Sequence, residues 1–130
     1  MKDYTKWNTP ELSASWETTL AQAIIEQAVT DYKKFNKRAV YLTHKLERMP
    51  NNTQEEQLKR VETRNKITRL KREITRIRNW FLYDEDCELY LTTMGDLTGA
   101  QIIRELDKNL TAKGLNIRSI DSKKNKNKRV

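Results

Sequence analysis

The sequence predicts an all-α fold: a long antiparallel helical hairpin, coiled-coil-like, with a small C-terminal helical head and a disordered basic tail. Three observations predict it. Two long stretches carry apolar residues at alternating spacings of three and four, the mark of a helix face that packs lengthwise on another helix. A turn signal and a helix-capping pattern separate those stretches. With three Gly and two Pro in 130 residues, and only 36% hydrophobic residues, the chain suits long helices that bury one stripe each. The length fits one helical domain over residues 1–112, with the hairpin at 10–81 and the head at 82–112, followed by a flexible tail at 113–130.

The first eight residues are a polar lead with two aromatics, Tyr4 and Trp7, which either dock on the fold or fray. Thr9-Pro10-Glu11 is a helix start: Thr caps, Pro suits the first helical position, and Glu favours the positive end of the dipole. The helix it opens is expected to run to Met49, where Pro50 stops it. Its seam is Ile25, Ala28, Tyr32, Phe35, Ala39, Leu42 and Leu46, preceded by a strip of Trp16, Leu20 and Ile24.

Pro50-Asn51-Asn52 is a turn, and Thr53 with Glu56 forms a capping box. So short a connection makes the two helices antiparallel neighbours. The second helix, residues 53–81, has the seam Leu58, Val61, Ile67, Leu70, Ile74, Ile77 and Phe81. The step from Val61 to Ile67 is six, which predicts local overwinding or a polar layer near the hairpin tip.

The head should pack at the open end. The cluster Trp80–Tyr83 leads into the acidic run DEDCELYL and a break at Gly95. Thr98 and Gln101 form a second capping box, Ile102, Ile103, Leu106 and Leu110 make a short amphipathic helix, and Gly114 fits its C-terminal stop. From Leu115 onward the composition supports no core.

Charge is distributed unevenly. The net charge is +8, but residues 53–79 carry nine basic and four acidic side chains, whereas residues 80–112 carry two and seven. Residues 113–130 carry seven basic side chains against one acid. Outside the second helix the folded part is net acidic, so the basic charge reads as segregated onto that helix.

Candidate contact residues follow from this. Arg69, Arg72 and Arg76 share the outward face of the second helix, Lys66, Lys71 and Arg78 flank its seam, and Arg60 and Arg64 extend the charge to the tip. Helical pairs Glu55–Lys59, Glu56–Arg60, Glu62–Lys66 and Glu73–Arg76 would use all its acids. The surplus is either a solvated or ion-paired face, or a surface for phosphates or an acidic protein, which Arg engages bidentately. Lys123 and Lys124 in the tail add a sliding electrostatic contact or a solubilising end.

No residues assemble a nucleophile, base and oxyanion donor, so an enzyme is not expected. The acidic run 84–88 lacks the glycine and spacing of a calcium loop and reads as a cap, a solvated stretch or a partner for Arg. His44 has no ligand pattern around it, and no metal or cofactor is expected. Cys87 is the single cysteine, read as a partly buried thiol in a reducing compartment. With no signal segment and no run long enough to cross a bilayer, a cytoplasmic protein is expected.

Ala23-Ile24, Gln27-Ala28, Asp31-Tyr32, Trp80-Phe81, Asp96-Leu97 and Gly99 before Ile102-Ile103 form a pattern over residues 16–110. The pattern resembles small helical proteins of Gram-positive phages and integrated mobile elements. The insert RMPNNTQEEQLKRVETRNKI makes this hairpin longer than that family implies. The resemblance implies a bacterial host cytoplasm and carries no activity or site residues over. The expected function is a non-enzymatic protein that binds host nucleic-acid machinery or nucleic acid through its basic helix. A stoichiometric inhibitor of a host defence complex, of the anti-CRISPR type, is its concrete form. The alternative is a structural or assembly protein that homo-oligomerises through the hairpin, for example as a four-helix dimer.

Overall fold

The computed structural model describes residues 13–95 and 97–121, with side-chain burial from Thr19 onward. The helix start at Thr9-Pro10-Glu11, Tyr4, Trp7 and the side chain of Trp16 therefore lie outside the described residues, as do Lys123 and Lys124. Four helices follow in order: α1 (Ser13–Arg48), α2 (Gln54–Tyr83), α3 (Glu85–Met94) and α4 (Gly99–Ala112). No strand occurs among the described residues. α1 and α2 pack against each other as the expected hairpin, each about 45–55 Å long at 1.5 Å per residue.

The hairpin forms because each boundary has a local device. Thr53 caps α2: its hydroxyl accepts from the Glu56 amide at 3.1 Å, while its own amide donates to the Glu56 carboxylate at 3.0 Å. The α1 seam is buried at Ile25, Tyr32, Ala39 and Leu42, with Ala28, Phe35 and Leu46 half-covered. Asn36, Val40 and Thr43 are buried too, so more than one neighbour covers this stretch of α1.

The seam of α2 differs from expectation at the tip. Leu58 is 60% exposed and Val61 45% exposed, so neither belongs to the core. Thr63 is buried instead, and the inward positions Thr63, Ile67, Leu70, Ile74, Ile77 and Phe81 keep the alternation of four and three without a break. Arg60 continues the same row toward the tip. The six-residue step therefore comes from taking two exposed apolar residues as core, and the inner row ends in a polar layer. That layer is satisfied: the Thr63 hydroxyl donates to the Lys59 carbonyl at 3.0 Å.

The acidic run folds as a helix, which the sequence reading did not assign. Asp84 ends α2 and begins α3: its amide donates to the Trp80 carbonyl, and its carboxylate accepts from the amides of Asp86 and Cys87 at 2.9 and 3.3 Å. Glu85, Asp86 and Glu88 then lie at the positive end of the α3 dipole. Cys87 and Leu91 face the core, and Trp80 packs edge-on to Phe81 and near Tyr90.

The second capping box forms as expected between Thr98 and Gln101. α4 buries Gly99, Ile103, Leu106 and Leu110. α3 leans mainly on α1, and α4 mainly on α2, so both close the open end of the hairpin.

The fold extends past residue 112. Gly114, at φ +71°, ends α4 in a Schellman arrangement: its amide bonds the Thr111 carbonyl, and the Leu115 amide bonds the Leu110 carbonyl at 2.8 Å. The chain then turns back, and residues 117–121 form a closing helical turn. Ile117 is 1% exposed and belongs to the main core cluster. Its amide donates to the Asn36 side chain at 3.3 Å, 81 positions away in sequence. The expected boundary at 112 thus moves to at least Asp121, because three apolar residues, Leu115, Ile117 and Ile120, pack on a core that the polar composition of the segment conceals.

Candidate nucleic-acid interface

α1 and α2 run antiparallel through the middle of the hairpin. Three relationships set the pairing. Arg60 reaches the end of α1 at Leu46, Leu70 shares a groove with Phe35, and Arg78 meets Tyr32 through Asp107. Residues 32–46 of α1 therefore oppose roughly residues 60–78 of α2. Residues 32–46 contain Lys33, Lys34, Lys37, Arg38 and Lys45 and no acid. Residues 63–72 contain Arg64, Lys66, Arg69, Lys71 and Arg72 and no acid. Two acid-free segments face each other, and the hairpin stem carries a basic block built from both helices.

The α1 half of this block escaped the sequence reading. Counted over residues 1–52, eight basic side chains stand against six acids and give only +2. A window of one seam length, 32–46, would have found it. Charge is segregated onto the stem of the hairpin, not onto the second helix alone.

The candidate residues have different fates. Arg64, Lys66, Arg69 and Arg72 are exposed, and no ion pair forms at them among the described residues. Arg76 is exposed and pairs with Glu73 at 3.0 Å, as helical spacing predicted. Arg60 is committed elsewhere: its guanidinium donates to the Leu46 and Met49 carbonyls, each at 2.8 Å. It thereby caps the end of α1, where the Leu46 carbonyl also takes the Met49 amide at 3.2 Å. Glu56 is held in the capping box, so the Glu56–Arg60 pair does not form, whereas Glu55–Lys59 does at 3.8 Å.

Positions 64, 71 and 78 repeat by seven along one edge of α2. Arg78 pairs with Asp107 of α4 at 2.5 Å, and Lys71 pairs with Asp121 of the closing turn at 2.8 Å. Arg64 is the next member of that row and pairs with neither. Burial by itself would lower the Arg78 pKa, but its hydrogen bond to Tyr32 and the Asp107 charge outweigh that and raise it. The acids of the C-terminal part thus neutralise one edge of the stem and leave its outward face and other edge basic.

That other edge borders an open groove of about 690 Å³, lined by Lys34, Phe35, Lys37, Arg38 and Tyr41 of α1 and Leu70 of α2. The Arg38 guanidinium lies 5.3 Å from the centre of the Tyr41 ring, and the Lys34 ammonium 5.9 Å from that of Phe35. Exposed apolar side chains also occur on the head, at Tyr83, Leu89, Met94 and Leu97.

Among the described residues nothing around Cys87 activates it. Burial, then the nearby Asp84 charge, push its thiol up to about 11, away from the range of a nucleophilic thiolate. Among the described residues no group of three or more His, Cys, Asp or Glu side chains converges as a metal site. No helix among them is long and apolar enough to cross a membrane. Comparison with protein-family models, with curated proteins and with solved structures finds no match to this chain.

Proposed function

We propose that this protein is a non-enzymatic binding protein that engages nucleic acid, alone or within a nucleoprotein complex, through its basic hairpin stem. The observation that carries this reading is the pairing of two acid-free segments, 32–46 and 63–72, on adjacent helices. Like charges brought together raise the folding cost of the stem, and a bound polyanion relieves that cost. A phosphate backbone does so best, because binding releases its condensed counterions. The buried thiol of Cys87 and the structural commitments of Tyr32, Asn36 and Asp107 support a binding role over catalysis. The resemblance to phage and mobile-element proteins supports a finer version, a stoichiometric anti-CRISPR-type inhibitor that engages the nucleic acid carried by a host defence complex.

Fluorescence anisotropy with labelled DNA and RNA oligonucleotides tests this. Binding should weaken steeply with salt, with a log–log slope of about −0.7 to −0.9 for each phosphate neutralised. The triple variant R69E/R72E/R76E should abolish it. If neither DNA nor RNA binds at low salt, or the triple variant binds as the parent does, the reading fails.

One observation favours a second reading, self-assembly through the hairpin. Leu58 and Val61 stand in solvent on α2, three residues apart on one face. Sedimentation at high salt distinguishes it: an oligomer that survives salt and dissociates in L58Q/V61Q supports assembly through the tip.

A further inference from the structure

We propose that the groove between α1 and α2 is a stacking platform for unpaired bases, so that the stem prefers single-stranded over duplex nucleic acid. This rests on the nucleic-acid reading above and names the substrate class of the same surface.

The groove joins two features that sequence-tolerant single-strand binding requires, a cationic track and rings able to stack on bases. Tyr41 is 56% exposed, two turns before the end of a helix whose inner face is tightly packed. Lys34, Arg38, Tyr41 and Lys45 follow spacings of four, three and four, so they form one stripe on α1. On α2, Lys66 lies one turn before Leu70 and prolongs the cationic rim, and Glu73, one turn after Leu70, ends the rim in its pair with Arg76 at 3.0 Å. The floor is apolar at Phe35 and Leu70, and no acid lines the groove. A duplex keeps its bases stacked inside and could meet only the rim. A single strand uses both parts: phosphates on Lys34, Lys37 and Arg38, and a base on Tyr41.

Charge also decides against other occupants. Residues 122–130 carry five basic side chains and no acid, the same sign of charge as this rim. A second copy meeting this one stem to stem would bring the same sign of charge, and one docking its acidic head, residues 80–112, in the groove would show as self-association in sedimentation and overturn the platform. Residues 1–12 carry two basic and two acidic side chains and offer no complementary charge. The stem is also long enough for a strand: residues 32–46 extend about 22 Å along the helix, room for several extended nucleotides.

The test compares an unstructured 12-nucleotide strand with a 12-base-pair duplex, each with wild type, Y41L and Y41F. The single strand should bind at least tenfold more tightly than the duplex. Y41L should weaken it by roughly five- to a hundredfold, the range for loss of one base–aromatic stack. The salt slope should not change, because no phosphate contact is lost, and Y41F should bind as wild type does. The exposure of Tyr41 makes both variants foldable, which thermal melts verify. Equal binding of strand and duplex, or an unaltered affinity in Y41L, overturns the platform while leaving the basic-stem reading intact. Absence of binding to either nucleic acid overturns both. Binding of an acidic peptide, such as a glutamate-rich amphipathic helix, in preference to the strand also overturns the platform.

Discussion

The hydroxyl of Tyr32 donates to the carboxylate of Asp107, joining the middle of α1 to α4 across 75 residues of sequence. The other oxygen of that carboxylate takes the guanidinium of Arg78 from α2. The backbone carbonyl of Asp107 accepts from Asn116, whose neighbour Ile117 bonds back to Asn36 on α1. One residue of the head therefore ties together both arms of the hairpin and the closing turn. The knot is almost dry: Tyr32 is fully buried, and Arg78 and Asp107 retain about a fifth to a quarter of their side-chain exposure.

Alkaline sensitivity follows from Tyr32. Burial, reinforced by the Asp107 carboxylate, pushes its phenol from 10.0 up to about 12. In that interval the unfolded chain has lost the proton that the native state keeps, so stability falls as pH rises from about 10 to 12, by about 1.4 kcal/mol per unit from this group. Cys87 adds a loss of the same sign between 9.0 and about 11. Urea denaturation across this range should show the decline, and Tyr32→Phe should remove the part above pH 11.

Loss of the Asp107 carboxylate leaves a partly buried guanidinium without its charge partner and a buried phenol without an acceptor. Asp107→Ala should cost about 2–4 kcal/mol in urea denaturation at neutral pH. A double-mutant cycle with Arg78→Ala should return a coupling of about 1–3 kcal/mol. A coupling near zero would show that the pair contributes geometry without energy.

Gly99 opens α4 where the helix start lies against α2. A Cβ there would overlap the backbone carbonyl of Phe81, which cannot rotate away as a side chain could. Alanine gains up to about 1 kcal/mol in helix propensity, but the overlap dominates. Gly99→Ala should destabilise by about 1–3 kcal/mol and lower the melting temperature.

Two substitutions separate actual core from apparent core. Ile117→Ala, in the segment that composition marks as tail, should cost about 2–4 kcal/mol. Leu58→Gln, at a position that spacing marks as seam, should change stability by no more than about 0.5 kcal/mol. Thermal melts of the two variants side by side check the reversal.

Arg60 caps α1 from α2. Arg60→Ala should lower stability by about 1–2 kcal/mol through the loss of its two carbonyl bonds. It should leave nucleic-acid affinity near that of wild type once corrected for the folded fraction. A large affinity loss with unchanged melting would return Arg60 to the contact surface.

The sequence by itself determined α1, α2 and α4, the capping boxes of α2 and α4, and the hairpin, but not α3. These depend on neighbours within four residues: Thr53 with Glu56, Thr98 with Gln101, Gly114 after α4, and the regular rows from Ile25 to Leu46 and from Ile67 to Phe81. Local periodicity and short-range hydrogen bonds are visible in any linear reading. The exposed Arg64, Lys66, Arg69 and Arg72 were legible for the same reason, since the inward row assigns the outward one.

Only the tertiary structure decided which apolar residues find a neighbour and which charges find a partner. Leu58 is apolar but lies off the row that meets α1, whereas Ile117 sits among polar residues but lands on Tyr32's side of the core. Arg78 and Lys71 looked surplus until α4 and the closing turn brought Asp107 and Asp121 to them. Burial and ion pairing are properties of distance in space, and a helix of thirty residues places sequence neighbours on opposite faces. The basic stem belongs to both kinds. Each half is a run visible in the chain, but only the antiparallel pairing of α1 with α2 makes the two halves one surface.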